Sequence, residues 1–384
     1  MWKYKWVEKN EPETFKKVHK WLDVKEFVIC RMTGEFVMTR DSAFASLLYG
    51  IREGKQGWSL PICKMLGVNT THLARIILST DKAGELTAQA AAELGLKAGT
   101  AVFGGGGDAS LIGIGAGAVN TGDTHVYSGT SGWVSTVVDK SMVDTSAMIA
   151  AIVGAQANKF NYFAELETAG KCLEWVKDHL ALDEIDVFLE KTDVAASAET
   201  VYTNLYDYLT QVVNTIPAGS GGVIFTPWLH GNRCPFEDPN ARGMFFNISL
   251  ETGKTELIRS VLEGVCMHMR WFLETQDKKI KTSSTVRFVG GGALSDVTCQ
   301  ILADCTGRTV ETVDSPQNAG AVGAAVLIAA GLKHIPSIAQ AGALIPVTKT
   351  FVPNMANKAA YDKNYAVYKN LYKDNKKSFA ALNG

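Results

Sequence analysis

The chain has 384 residues, 46% of them hydrophobic and 20% charged, with 36 glycines. That is the make-up of a globular α/β protein, two domains at roughly 150 residues each, and it excludes a disordered or collagen-like polymer. A formal net charge of −1 gives no overall attraction for nucleic acid or an anionic membrane, so the expected partner is a small molecule.

The N-terminal run Met1-Trp2-Lys3-Tyr4-Lys5-Trp6 passes straight into charged sequence without the apolar segment of a signal peptide. Residues 12–33 read as two helices separated at Trp21 and Leu22, with Gly34 as the stop. Helical spacing recurs over 42–49 and 60–66, then over 86–94, where Thr87-Ala-Gln-Ala-Ala-Ala-Glu is a strong helix former. Residues 100–103 are a short buried strand. The texture changes near Asn120, where a second domain begins: strands at 125–128, 133–138, 148–153 and 160–165, a helix at 168–180 and a loop-rich middle. Beyond it, helix 255–276, strand 286–289, helix 296–305, strand 309–313 and helix 318–331 alternate as in a largely parallel sheet. One long helix runs from Lys358.

The longest apolar stretches, 111–119 and 319–331, are glycine-laced and too short to cross a bilayer. Seven cysteines, an odd count with no C-x-x-C pair, read as reduced thiols. Together these features indicate a cytoplasmic protein. The seven histidines are scattered, so no transition-metal site is expected.

Four segments carry candidate chemistry. Gly104-Gly-Gly-Gly107 leads into Asp108, which stands at a helix start either as an ordinary N-cap or as a base that takes a proton from a substrate hydroxyl. Ser128-Gly129-Thr130-Ser131-Gly132 is either a plain hairpin turn or a nest of N–H groups and hydroxyls that holds an anion. Gly290-Gly291-Gly292-Ala293, between a strand and a helix, lets a flat or phosphorylated ligand approach the backbone. With Ser295 and Glu311 it also fits a loose dinucleotide-binding pattern. The fourth segment joins Pro227–Arg233 to Asp238–Gly243, a polar loop that contacts ligand or is tethered to the surface by Trp228.

Taken in order, Thr33-Gly34-Glu35-Phe36, Gly104 to Asp108, Gly129-Thr-Ser-Gly132, Asp238-Pro-Asn-Ala-Arg-Gly243, Leu262-Glu263-Gly264-Val265, Gly290-Gly-Gly-Ala293 and Ala319-Gly-Ala-Val-Gly-Ala-Ala325 resemble the FGGY family of carbohydrate kinases, its xylulokinase-like members above all. The resemblance implies a two-lobed, actin-like ATPase (ribonuclease H-like) fold. It implies transfer of the γ-phosphoryl group of ATP, with Mg²⁺, to a sugar hydroxyl, with a ketopentose such as xylulose as substrate. Asp108 falls on the catalytic base; Gly129, Thr130 and Ser131 on a phosphate loop; Gly291, Gly292 and Ala293 on the adenosine motif, with Asp296 reaching ribose or adenine. No metal-ligating side chain is assigned.

Residues 1–119 then correspond to the remainder of the sugar-binding lobe and 120–384 to the nucleotide-binding lobe. The Asp-x-Gly-Thr hairpin with which the family opens is not in this sequence, and Ala109 and Asn247 stand where polar and glycine residues are usual. The first lobe is therefore expected to be truncated, with an unpaired strand edge and either a homodimer or a complementing N-terminal fragment as protein partner. The alternative reading is a remnant that binds nucleotide or sugar without turnover.

Overall fold

A computed structural model describes residues 1–52, 54–180 and 212–384; the part of the loop-rich middle at 181–211 lies outside the described residues. The chain opens with helices α1 (Trp2–Asn10) and α2 (Pro12–Phe15), the latter with proline in its first turn, where the missing N–H costs nothing. Helix α3 (Val24–Thr33) starts on Asp23, whose carboxylate accepts the Val24 N–H, and stops at Gly34 with φ +79°. Strand β1 (Val37–Thr39), helix α4 (Arg40–Ala45), the short strands β2 (Tyr49–Gly50) and β3 (Gly57–Trp58) and helix α5 (Leu60–Met65) follow. Helix α4 ends sooner than its apolar spacing predicts, because Leu47 takes a positive φ of 64° and turns the chain into β2.

Next come β4 (Arg75–Ile77), β5 (Lys82–Glu85), α6 (Ala88–Leu94), capped by the Thr87 hydroxyl, and β6 (Ala101–Phe103). These strands pair only in twos: β1 with β4 in parallel, β2 with β3 and β5 with β6 antiparallel.

Helix α7 (Asp108–Gly115) leads into a large sheet formed by β7 (Thr124–Ser128), β8 (Gly132–Val138), β9 (Val143–Asp144), β10 (Ile149–Val153), β11 (Phe160–Leu166), β14 (Thr285–Val289), β15 (Thr309–Val313) and β16 (Val347–Phe351). Its order is β16-β15-β14-β7-β8-β11-β10-β9. The expected largely parallel sheet is in fact mixed. Only β7–β14 and β14–β15 are parallel: the helix between β14 and β15 carries the chain back to start β15 at the same end, whereas β16 runs antiparallel to β15 despite the helices between them, and β7, β8, β10 and β11 are joined by connections that return the chain antiparallel. A separate ribbon pairs β12 (Ile224–Thr226) with β13 (Met244–Phe246).

Alternation along the sheet strands divides the core into two layers. Val126, Val134, Phe288 and Val310 face one side, with helices α8 (Gly170–His179), α9 (Lys254–Asp277), α10 (Asp296–Thr306) and α13 (Lys358–Asn383). Trp133, Val289 and Val313 face the other, with α7, α11 (Ala319–Gly331) and α12 (Ala341–Leu344). Helices α7 and α11 touch backbone to backbone. A Cβ on Gly115 would lie 1.8 Å from the Ala319 carbonyl oxygen, and one on Gly323 would lie 1.9 Å from that of Leu111.

Glu263 on α9 is fully buried and fully partnered. It accepts from the Gly219 N–H (3.0 Å), Ser220 Oγ (2.8 Å), Arg259 Nε (2.7 Å) and Tyr361 Oη (3.1 Å), so one carboxylate ties α9 to α13 and to the 213–220 loop. Its neighbour Gly264 lets α9 press on β12, since a Cβ there would meet the Phe225 carbonyl at 2.3 Å. Among the described residues no helix is long and apolar enough to cross a membrane, and the seven cysteines are all free thiols.

Candidate functional site

The turn before Asp108 is held from below by a polar network that no motif announces. Lys25 Nζ donates to Glu26 (2.6 Å), to Thr39 Oγ1 (2.8 Å) and to the Gly104 carbonyl (3.0 Å), and the Thr39 hydroxyl passes its proton toward Asp41. Asp41, itself buried, accepts the Gly107 N–H at 2.6 Å. Gly105 takes φ +68°, and Gly106 lies so close to Ala155 that its own Cβ would sit 2.9 Å from the Ala155 Cβ. The outcome is a rigid delivery of Asp108.

Gly107, not Asp108, is the N-cap; Asp108 is the first residue of α7 and is exposed. One of its oxygens accepts the Ala109 N–H at 2.9 Å, and the other has no protein partner among the described residues. That oxygen is therefore open to a ligand, with the positive end of α7 beside it.

The hairpin between β7 and β8 forms as the sequence predicts, and α8 determines its polarity. The Gly129 carbonyl accepts from Gly170 N (2.7 Å), and the Thr130 carbonyl accepts from Ala169 N (3.0 Å) and Lys171 N (3.2 Å). With its carbonyls turned to α8, the loop keeps the Thr130 and Ser131 N–H groups and hydroxyls without protein acceptors among the described residues, a ready anion nest. Gly129 lies under the Tyr127 ring: a Cβ would meet Tyr127 Oη at 2.1 Å and displace that side chain. Tyr127 stacks on Trp133, with centroids 3.9 Å apart. Burial first, and then the charge of Asp108, raise the Tyr127 pKa, which puts Asp108 within electrostatic reach of the hairpin.

The Gly290–Ala293 turn packs on the root of the same hairpin. Gly290 has φ +94°, and a Cβ there would lie 2.5 Å from the Ser128 carbonyl oxygen; one on Gly292 would lie 2.9 Å from Ser128 Oγ. Gly291 faces open space. Behind this turn a narrow, mostly apolar slot of about 50 Å³ runs between the sheet and α8, α9 and α10, lined by Ser128, Gly170, Leu173, Leu262, Gly292 and Thr298. Gly170 and Leu173 escaped the sequence reading; the only trace of them is the Ala169-Gly170 start of a helix, an ordinary feature.

Asp108, the Gly129–Ser131 loop and Gly291–Ala293 thus gather around the C-terminal end of β7. Asp296 stands apart on the outside of α10, where its carboxylate is paired with Lys349 at 2.7 and 2.9 Å. Of the dinucleotide pattern, Ser295 caps α10 through the Thr298 N–H and Glu311 is bound to Arg287 at 3.0 Å, so neither is poised for a ribose. In the fourth segment Trp228 is completely buried against Phe236, Tyr368 and Tyr372, as a tether. Arg233 from that loop reaches the site side of the sheet, bridging Glu165 (2.6 Å) and Glu167. Burial raises the Glu165 pKa, Arg233 opposes it, and the charges of Glu167 and Asp108 add to it.

Residues 1–115 match the N-terminal domain of the FGGY family of carbohydrate kinases, and residues 125–332 match its C-terminal domain. The chain is 29% identical over 378 residues to the xylulose kinase of Bacillus subtilis (strain 168), an alignment covering 98% of this chain and 71% of that protein. It is 25% identical over 370 residues to the gluconokinase of Bacillus licheniformis, covering 96% and 69%. Among solved structures, ligand-bound xylulose kinase from Lactobacillus acidophilus superposes with a TM-score of 0.85 at 24% identity, covering 99% of this chain and 73% of that one.

Proposed function

The chain belongs to the FGGY family of carbohydrate kinases, and from that premise we propose that it transfers the γ-phosphoryl group of ATP to a hydroxyl of a ketopentose such as xylulose. It is a phosphotransferase with an alcohol acceptor, built on the two-domain α/β fold of the sugar kinases, of actin-like ATPase type. The observation that carries the finer reading is the convergence of a half-free carboxylate, an N–H nest and a second glycine turn on one strand end.

In this reading Asp108 takes the proton of the acceptor hydroxyl, and the Gly129, Thr130 and Ser131 loop holds the phosphates through the Thr130 and Ser131 N–H groups, the Gly129 N–H being donated to the Ser131 carbonyl. Gly291, Gly292 and Ala293 admit the adenosine close to the backbone. Asp296 reaches ribose or adenine only by leaving Lys349. Phosphoryl transfer asks for position and charge neutralisation more than for covalent chemistry, so these parts suffice. A Mg²⁺ held mainly by phosphate oxygens and water needs one or two carboxylates; with Asp108 kept as the base, Glu165, which feels the Asp108 charge and is bridged to Arg233, is the nearby carboxylate that would serve. When bound, the ion neutralises charge on the phosphoryl group. Residues 1–119 supply the sugar side and 120–384 the nucleotide side.

The test is ADP release with ATP, Mg²⁺ and a panel containing ketopentoses and gluconate. Turnover with xylulose, abolished in Asp108→Asn while nucleotide binding persists, is the expected result; turnover with gluconate alone moves the substrate to an aldonic acid. A second reading, binding without turnover, is favoured by one observation: the strands of residues 1–103 form only two-stranded ladders. Nucleotide binding without ADP release on any sugar selects it.

A further inference from the structure

A second cavity, of about 400 Å³, opens between the β2–β3 hairpin and the turn joining β10 to β11. Its walls carry Arg40, Gln56 and Ser79 on one side and Gln156 and Lys159 on the other. Arg40 Nε donates to Tyr49 Oη at 2.7 Å, which fixes the guanidinium and leaves both Nη amines without a protein acceptor among the described residues. Ser79 is only 3% exposed, yet among the described residues its hydroxyl has no protein partner, nor do the side-chain amides of Gln56 and Gln156. Lys159 donates to Thr121 at 2.7 Å and to Asp139, and Asp139, the one carboxylate among the described residues of the wall, is occupied by that ammonium and the Thr121 hydroxyl.

Among its described residues the cavity therefore holds one uncompensated positive charge and an excess of donors arriving from opposite walls. A guanidinium with two free N–H edges suits an oxyanion held bidentately. Donors on several sides suit a tetrahedral phosphate better than a planar carboxylate. The volume lies in the range of small-molecule sites and exceeds what a bare phosphate fills. We infer that this cavity binds the phosphate monoester of a small polyol. Ala155 forms part of the wall, packs on Gly106 and donates its N–H to Ser110 Oγ at 3.2 Å, so the ligand sits against the turn that carries Asp108, where an effector would act.

Calorimetric titration of the full chain with glycerol 3-phosphate tests this without requiring turnover, so it fails or succeeds separately from the kinase reading. Glycerol 3-phosphate binds, inorganic phosphate binds more weakly, Arg40→Gln and Ser79→Ala each weaken the ester, the former by about tenfold or more, and Thr130→Ala leaves it unchanged. Asp139→Asn tightens binding, because Lys159 is released to the ligand. Circular dichroism confirms that each variant is folded. No binding, binding insensitive to both Arg40→Gln and Ser79→Ala, loss through Thr130→Ala, or equal affinity for gluconate overturns the inference.

Discussion

Residues 1–103 and residues 124–384 are held together in different ways. The larger region has one eight-stranded sheet, two continuous apolar layers and a buried charge network whose hub, Glu263, has four partners. The smaller has three separate apolar clusters under two-stranded ladders. Isolated two-stranded ladders are marginal in water. The smaller region thus depends on its contacts with the larger, and its precision is concentrated where it matters, in the Lys25–Thr39–Asp41 network under the Gly107 turn.

The comparison is sharpened most by Asp108→Asn at the junction of the two regions: on the proposed mechanism ADP release falls by about 10²- to 10⁴-fold, with the unfolding transition unmoved. Glu263→Ala, deep in the larger region, leaves Arg259 buried and unpaired and is expected to cost about 3–5 kcal/mol in urea unfolding. Near-wild-type stability there would break the claim that the larger region rests on its charge hub. Gly323→Ala forces α11 off the α7 backbone and is expected to cost about 3 kcal/mol.

The two buried histidines of the larger region give it a pH signature. Burial lowers both His125 and His268 to about 4. The unfolded chain binds a proton at each below about pH 6.5 while the folded chain does not until about pH 4, so stability is complete above that window and falls as pH drops through it, on the order of 2–4 kcal/mol per histidine. Urea midpoints at pH 7 and 5 measure this; an unchanged midpoint contradicts it. At the small end, Asp41→Ala is expected to lower turnover by about tenfold to a hundredfold through misplacement of Asp108, while the main urea transition stays put. A drop in global stability instead would mean that the smaller region is no mere appendage. The exposed ladder edges predict self-association by light scattering; a monodisperse monomer removes that expectation.

Much of this was legible in the sequence. The strands from 124 to 166 and the helices at 254–277, 296–306 and 319–331 follow from apolar period and capping residues, which act locally. The glycine turns at 104–107, 129–132 and 290–293 were legible as places of close backbone approach, and each fills that role. Helix α1 and the mixed character of the sheet were not legible: α1 is short and mostly polar, and strand pairing depends on partners distant in sequence.

What the sequence determined by itself, then, is the kind of chain this is: an ordered series of glycine turns, with a carboxylate at Asp108, resembling the family that comparison then showed. Only the tertiary structure decided that α8 turns the Gly129 and Thr130 carbonyls away and leaves the Thr130 and Ser131 N–H groups open, that Asp41, 66 residues before Gly107 in the chain, holds the turn before Asp108, and that Asp296 faces Lys349. The physical reason is the range of the forces involved. Backbone propensity and capping are read within a few residues, whereas the direction of a hydrogen bond and the partner of a charge are set by whichever segment packing brings alongside.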